Sequence, residues 1–219
     1  MPDSLSSAGV ETVILIPALA STARMWRPQL DALSGTHRAV VCELPGHGGV
    51  PGPFTLAAAA QRAAAAVDDA VGPVVLCGIS LGATVAVLGC LERPGRVSRL
   101  VLSGGIAHPP AALAVQRAIA AVLPIGVMAR IAADGEDMRA VGRRTYLDGL
   151  RELARVDLRP RLGEITAATT VVCGARDKVN VPLSRELAAG IPGAQLRIIP
   201  GAGHLWNLEQ PEAFTALLL

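Results

Sequence analysis

Three side chains that lie far apart in the sequence could together form an activated nucleophile. They are Ser80 in the stretch GISLG, Asp177 in GARDKVNVP and His204 in PGAGHLW. A serine hydroxyl attacks a carbonyl carbon only when a base takes its proton, and a histidine held by a carboxylate is such a base. The order serine, acid, histidine along the chain is one in which this arrangement is known to occur.

The surroundings of Ser80 favour a role as nucleophile. A Gly-x-Ser-x-Gly string can arise by chance in a chain with 23 glycines, so the flanking elements must decide. The apolar run PVVLCG before the serine predicts a strand, and LGATVAVLGCLER after it predicts a helix. A serine on so sharp a turn needs small neighbours two residues away on both sides, and these are Gly78 and Gly82. The start of the helix would also direct N–H groups toward developing negative charge.

His204 is the histidine best placed to act as the base. It lies in a glycine-rich loop directly after the last predicted strand, which places it at the same edge of the sheet as Ser80. Of the other histidines, His37 opens a strand, His47 lies in the loop LPGHGG and His108 begins a helical insertion.

Asp177 is the predicted orienting acid. It follows the predicted strand 169–174 and so lies at the same carboxyl edge. The strand that ends at Ser103 and Gly104 offers no acidic residue in its place, and Glu209, on the His204 loop itself, is a weaker candidate. A carboxylate in this role holds the imidazole tautomer and stabilises the imidazolium ion.

The elements that position these residues alternate along the chain. Short runs that are apolar throughout are typical of strands covered on both faces. The predicted strands cover residues 12–17, 38–44, 73–78, 98–104, 169–174 and 194–200. The predicted helices cover about 23–33, 55–71, 81–92, 182–190 and a last one from about 211. This order predicts an α/β fold with a doubly wound, mostly parallel sheet of about six strands.

Residues 108–164 interrupt the alternation, because they contain only helical stretches such as PPAALAVQRAIAAVL. A helical insertion after the fourth strand predicts a short cap over the carboxyl edge, where we expect substrate selectivity to reside. Extra helices packed on one flank are the alternative. The predicted core then comprises residues 1–107 and 165–219, and no linker marks a second independent domain.

Composition narrows the classes of function. The 219 residues are 51% hydrophobic and 17% charged, with a net charge of +2, which argues against a nucleic-acid or membrane-surface role that depends on a basic patch. No apolar run is long enough for a transmembrane helix. The four cysteines have no spacing typical of a metal site, so we expect buried reduced thiols, no metal and a cytoplasmic protein.

The chain resembles the α/β-hydrolase fold superfamily over nearly its full length. The segments that carry the resemblance are MWRPQLDAL, ELPGHGGV, VVLCGISLGATVA, RLVLSG, VVCGARDKVNVP and IPGAGHLWNLEQPEAF. The resemblance implies that Ser80 is the nucleophile, Asp177 the orienting acid and His204 the general base. It also implies that the helical insertion is the family's cap and that no cofactor is needed.

The chain departs from the family pattern beside the first strand. Relatives usually carry His-Gly there, and the N–H of the next residue completes the oxyanion hole; here Pro17 and Ala18 stand in those places. By position, the N–H groups of Leu19 and Leu81 would be the two donors, and neither depends on its side chain. A smaller departure is Glu43, where relatives usually have Asp.

Several functions fit this reading. The first hypothesis is hydrolysis of a small carboxylic ester, lactone or thioester through an acyl-enzyme, and the chain weakly resembles the 3-oxoadipate enol-lactonase and small carboxylesterase group. The same triad could serve a cofactor-free haloperoxidase or perhydrolase, a C–C hydrolase or an acyltransferase. A catalytically silent small-molecule receptor or interaction module is the alternative of another class, which Pro17 and Ala18 keep open.

We expect the partner to be a small-molecule substrate, bound by a monomer or a small homo-oligomer. The predicted pocket is apolar, with core packing as the alternative for each of its proposed residues: Ile125, Met128, Ile131, Leu205 and Trp206. The arginines of the cap could attract an acidic substrate, although a solvated helix face is the simpler reading of Arg143, Arg144 and Arg151.

Overall fold

The structure is a computed structural model that describes residues 11–131 and 135–219. One six-stranded sheet organises it, with every pairing parallel and the strand order β2-β1-β3-β4-β5-β6. The strands are β1 (Thr12–Ile16), β2 (Arg38–Val41), β3 (Val74–Ile79), β4 (Val97–Ser103), β5 (Ala168–Gly174) and β6 (Gln195–Ile199). The predicted α/β fold is therefore confirmed, and all six predicted strands are present.

Helices cover both faces of the sheet, and further helices lie between β4 and β5. In chain order the helices of the described residues are α1 (Arg27–Leu33), α2 (Leu56–Asp68), α3 (Leu81–Glu92), α4 (Ala111–Val122), α5 (Ile125–Ile131), α6 (Gly135–Leu153), α7 (Asn180–Gly190), α8 (Trp206–Glu209) and α9 (Pro211–Thr215). Two 3₁₀ helices, Ala23–Trp26 and Arg159–Glu164, connect them. Helix α6 consists of two stretches that meet at a kink at Gly142, whose φ of 79° and ψ of 160° are not helical.

The continuous apolar runs of the strands are explained by burial on two sides. Along β1, Ile14 and Ile16 belong to one core with α2, α3 and α7, whereas Val13 and Leu15 belong to a second core with α1, α8 and α9. The second core is closed by the rings of Trp26, Trp206 and Phe214, which are buried against one another. Because these strands pair in parallel, the carboxyl ends of the central strands lie at one common edge.

Between β4 and β5, the described residues form helices and no strand. This segment is fastened at its base, where Leu158 N donates to Ala107 O at 2.7 Å and His108 Nε2 lies 2.9 Å from Glu186 Oε2 on α7. We call α4, α5 and α6 the cap helices. The division of the chain into a core and a cap at residues 108–164 stays a prediction.

Among residues 11–131 and 135–219, no helix combines the length and the hydropathy that a membrane crossing needs. The same ranges contain no group of three or more histidine, cysteine or acidic side chains that could hold a metal ion.

Candidate active site

Ser80 occupies a strained turn between β3 and α3. Its φ of 56° and ψ of −117° lie in a region that residues with a side chain rarely adopt. The turn is held by Ser80 N, which donates to Ser103 O on the neighbouring strand at 2.8 Å, and by Ala83 N, which donates to Ser80 O at 3.0 Å. The two flanking glycines are required sterically, because a Cβ on Gly78 would lie 2.1 Å from Gly82 O and a Cβ on Gly82 would lie 2.3 Å from Ile16 O.

His204 and Asp177 form a direct contact. His204 Nδ1 lies 2.5 Å from Asp177 Oδ2, although 27 residues separate them in the chain. Asp177 follows β5, and His204 follows β6, so the parallel pairing of these two strands brings their loops together. Burial raises the pKa of Asp177, but hydrogen bonds from His204 and Asn180 and the attraction of His204 outweigh it and hold that pKa below its ordinary value. A carboxylate that stays ionised can hold the imidazole in one tautomer.

Asn180 is a site residue that the sequence reasoning missed. Its Nδ2 donates to both oxygens of Asp177, at 3.0 Å from Oδ1 and 2.8 Å from Oδ2, and lies 3.3 Å from His204 Nδ1. The signal in the sequence is its position three residues after Asp177, at the first turn of α7, where a side chain can reach back to the acid.

Glu209, the weaker candidate for the acid, has a different set of contacts. Its Oε2 accepts a hydrogen bond from Gly203 N at 3.0 Å and lies 2.5 Å from Arg176 Nη2. Glu209 therefore holds the backbone beside His204, while Asp177 contacts the imidazole itself.

A cavity of about 450 Å³ joins Ser80 and His204 at the carboxyl edge of the sheet. Its wall is mostly aliphatic. The core contributes Ala18, Leu19, Ala20, Ser21, Leu81, Gly104, Ile106, Val179, Asn180, Leu205 and Glu209, and the cap region contributes Pro110, Ala112, Leu113, Gln116, Met138, Tyr146, Leu150 and Leu153. Of the described residues on this wall, Glu209 is the only acid, and none is an arginine or a lysine.

The residues proposed as oxyanion donors, Leu19 and Leu81, both line this cavity with Ser80. Leu81 is the first residue of α3, so its N–H has no partner within the helix. Leu19 N donates to no backbone carbonyl in the turns and loops of the described chain. The role of these two N–H groups as oxyanion donors stays a prediction.

The loop with Pro17 and Ala18 is held by contacts that its sequence does not reveal. Ala18 N donates to the thioether Sδ of Met25 at 3.3 Å, and Ser21 N donates to Ala18 O at 3.2 Å. Ala20 has a φ of 60°, so a second strained residue lies beside the one at Ser80. Met25 is therefore a further residue that shapes the site, and the sequence singled it out only as part of the segment MWRPQLDAL.

Among the predicted pocket residues, Leu205 lies on the described cavity wall, and Ile125, Met128 and Trp206 are not among the described residues of that wall. Trp206 is fully buried in the second core, where its Nε1 donates to Ser103 Oγ at 2.9 Å. Met128 is buried and Ile125 half-buried against the first core. The side chain of Ile131 lies outside the described residues. Helices α4 and α6 contribute side chains to the described cavity wall, and the pocket role of the predicted residues stays a prediction.

The cap arginines do not line the cavity. Arg143 donates to the carbonyl of Ala121, and Arg151 pairs with Asp148 at 2.5 Å on the same helix. Arg144 is exposed. Their placement agrees with a solvated helix face.

Comparison with known proteins points to one family. The family model described as "Alpha/beta hydrolase family" matches residues 13–217. A "Putative carbamate hydrolase RutD" from Shigella flexneri serotype X (strain 2002017) is 31% identical over 252 residues, covering 99% of this chain and 94% of the relative.

Solved structures are similar over almost the whole chain. The enol-lactonase from Burkholderia xenovorans LB400 has a TM-score of 0.79 at 23% identity, covering 96% of this chain and 90% of that one, a likeness in fold. A thermophilic esterase from Thermogutta terrifontis has a TM-score of 0.79 at 26% identity, covering 95% and 88%. A hydrolase from Pseudomonas aeruginosa PA01 has a TM-score of 0.76 at 28% identity, covering 97% and 90%.

Proposed function

Because the chain belongs to the alpha/beta hydrolase family, we propose that it is a serine hydrolase that cleaves a small carboxylic ester, lactone or thioester. The observation that carries the proposal is the cavity that Ser80 and His204 share, with Asp177 hydrogen-bonded to the far side of the imidazole. An alcohol, a base and an orienting carboxylate at one apolar cavity are the parts that acyl transfer needs.

In the proposed mechanism, His204 takes the proton of Ser80 while the serine oxygen bonds to the carbonyl carbon of the substrate. The N–H groups of Leu19 and Leu81 donate to the oxyanion that forms. Collapse of this intermediate breaks the bond to the leaving group, which receives the proton from His204. His204 then takes a proton from a water molecule whose oxygen bonds to the acyl carbon. It returns this proton to Ser80 Oγ as the bond between Ser80 and the acyl group breaks, which releases the acid. Asp177 stays ionised throughout.

The wall of the cavity supports a small and uncharged acyl group. Aliphatic side chains from both the core and the cap surround it, and no cationic side chain on the described wall would pair with a carboxylate. We further propose that the partner is a dissolved small molecule, that the chain acts as a monomer or small homo-oligomer, and that it acts in the cytoplasm.

A carbamate is the second candidate substrate. The relative from Shigella flexneri carries that activity in its name and is 31% identical over 99% of this chain. A carbamate presents a carbonyl carbon to the same nucleophile, so the mechanism would differ only in the leaving group and in the acid released.

The test combines covalent labelling with a substrate panel. Wild-type protein and the Ser80→Ala variant are treated with a fluorophosphonate probe and assayed with p-nitrophenyl acetate, butyrate and octanoate, a γ-lactone, a thioester and an aryl carbamate. Ser98→Ala is the matched control, because Ser98 is exposed on β4. We expect labelling and turnover in the wild type and control and neither in Ser80→Ala. An intact wild-type protein that stays unlabelled would favour the silent receptor, and hydrolysis that survives in Ser80→Ala would eliminate the serine mechanism.

A further inference from the structure

The loop that carries the Leu19 N–H is unusual in its composition. Residues 17–22 read PALAST, so the strained φ of 60° at Ala20 is adopted without a glycine. A backbone of this kind persists only when contacts around it hold it in place. We call residues 17–22 the β1 loop.

Helix α6 of the cap contacts the β1 loop at its far end. Asp137 accepts two hydrogen bonds from Thr22, one from its N at 2.8 Å and one from its Oγ1 at 2.9 Å. The carboxylate is almost completely buried, with Asp137 1% exposed. Such an acid is expensive to bury unless its oxygens are bonded, so the contact has a defined geometry.

The same helix contacts the loop a second time, at the donor residue itself. A Cβ on Gly149 would lie 2.4 Å from Cδ1 of Leu19, so the leucine side chain lies against bare helix backbone. Next to Thr22, Glu43 Oε1 accepts a hydrogen bond from Ala23 N at 2.6 Å, which fixes the residue after the loop to the core. The core and the cap therefore both hold the loop.

We propose that Asp137 is a positioning residue for the oxyanion hole and that the cap, through α6, keeps the Leu19 N–H aimed at the reacting carbonyl. The inference rests on the proposed function, because it assigns a cause to the geometry of that same site. In this protein the cap helix α6 holds the β1 loop in position and also lines the cavity. The two hydrogen bonds that Thr22 donates to Asp137 supply the order that Pro17 and Ala18 do not supply by themselves.

This role has a kinetic signature. A contact that aligns an oxyanion donor stabilises the transition state and leaves the ground-state complex almost unchanged. Loss of one full donor costs about 10²–10³ in rate, so misalignment of Leu19 in Asp137→Asn should lower kcat by roughly 10- to 100-fold and change KM by less than about threefold.

The experiment compares Asp137→Asn with Asp148→Asn. The second variant is a control on the same helix, and it removes an ion pair with the exposed Arg151. Each purified variant is assayed for kcat and KM on the best ester of the panel. Each is also titrated with an aryl trifluoromethyl ketone, whose serine adduct carries an oxyanion, and with the isosteric alcohol, which forms no adduct. Thermal unfolding by circular dichroism establishes that the variants are folded.

We expect Asp137→Asn to lose kcat and trifluoromethyl ketone affinity by the same factor, with KM and alcohol affinity retained, and Asp148→Asn to match the wild type. If Asp137→Asn does not fold, Thr22→Val and Thr22→Ser take its place; the first removes the hydroxyl and should lose kcat, and the second should retain it. A folded variant with wild-type kcat and ketone affinity would overturn the inference. A wild type that neither turns over the panel nor reacts with the fluorophosphonate would instead overturn the proposed function.

Discussion

Asn180 donates its side-chain amide to both oxygens of Asp177, at 3.0 Å and 2.8 Å, and shares that carboxylate with His204. The carboxylate of the site is therefore bonded from two sides. Hydrogen bonds to a charged acid favour its ionised form and also disperse its charge. The amide of Asn180 thus contributes both to the position of Asp177 and to the lowered pKa of its carboxyl group.

Removing this amide should move the pH dependence of catalysis. In Asn180→Ala the side-chain hydrogen bonds from Asn180 that help to hold the pKa of Asp177 down are lost, so this pKa should rise. The ionised carboxylate that orients His204 is then lost at a higher pH, and the acidic limb of the kcat/KM profile should move upward by roughly half a pH unit to one unit, the size of one hydrogen bond.

The control is Gln195→Ala, which removes an amide from the exposed strand β6. Profiles of kcat/KM measured from about pH 3 to 9 on one ester test this prediction. An Asn180→Ala profile that is lower at every pH but unmoved would assign Asn180 a packing role only.

The glycine before the nucleophile should be sterically irreplaceable. A Cβ in Gly78→Ala would lie 2.1 Å from the carbonyl oxygen of Gly82, which is backbone and cannot move aside without distorting the turn. We expect Gly78→Ala to lower the free energy of unfolding by roughly 1–3 kcal/mol or more, as overpacking does elsewhere, and to abolish fluorophosphonate labelling. Urea unfolding curves and the labelling rate measure the two effects.

Gly126 offers the matched control, because a Cβ there would meet no atom within 4 Å and the residue lies in helix α5. Gly126→Ala should be neutral or slightly stabilising, since alanine is the better helix former. Equal stability of the two variants would mean that the turn at Ser80 can relax in a way the structure does not indicate.

The fold could be predicted from the sequence because the patterns that indicate its strands and helices are local. A run such as PVVLCG is apolar throughout, and burial of alternate residues in two different cores is the physical reason. The candidate triad followed for a related reason, since parallel strands carry the residues after their carboxyl ends to one edge, and Asp177 and His204 each come directly after a strand.

The cap and the polar contacts could not be predicted in the same way. The helical pattern around Met128 indicates a helix, but it does not indicate which neighbour the apolar side of that helix will contact. In the structure, the Met128 side chain packs in the first core. The hydrogen bond that Thr22 N donates to Asp137 joins residues 115 apart in the chain, and no rule of sequence spacing predicts such a contact. Met25 posed a third difficulty, because a thioether that accepts an N–H looks in the sequence like any apolar side chain.

The four cysteines should be unreactive in the folded protein. All four are buried free thiols, and burial raises the pKa of Cys42, Cys90 and Cys173 to about 11 and that of Cys77 further still. The thiolate is the reactive form, so iodoacetamide at pH 8 should modify fewer than one thiol per chain before unfolding and all four in guanidinium chloride. Mass spectrometry counts the adducts, and rapid modification of one native thiol would show that its side chain opens to solvent.

Glu43 should make the stability of the protein depend on pH. Burial raises its pKa above the ordinary 4.5, against the lowering effect of the hydrogen bond from Ala23, and its Oε2 has no hydrogen-bond partner in the described chain. An acid whose pKa is raised on folding stabilises the folded state below its unfolded pKa, and this contribution is lost as pH rises through the folded value.

Glu43→Gln keeps an oxygen for Ala23 N but does not ionise, so the fall in Tm from pH 5 to pH 8 should be smaller than in the wild type. Glu212→Gln, at an exposed carboxylate on α9, is the control that should keep the wild-type fall. Differential scanning calorimetry across this range measures it, and parallel Tm curves for the wild type and Glu43→Gln would contradict the burial of a titrating Glu43.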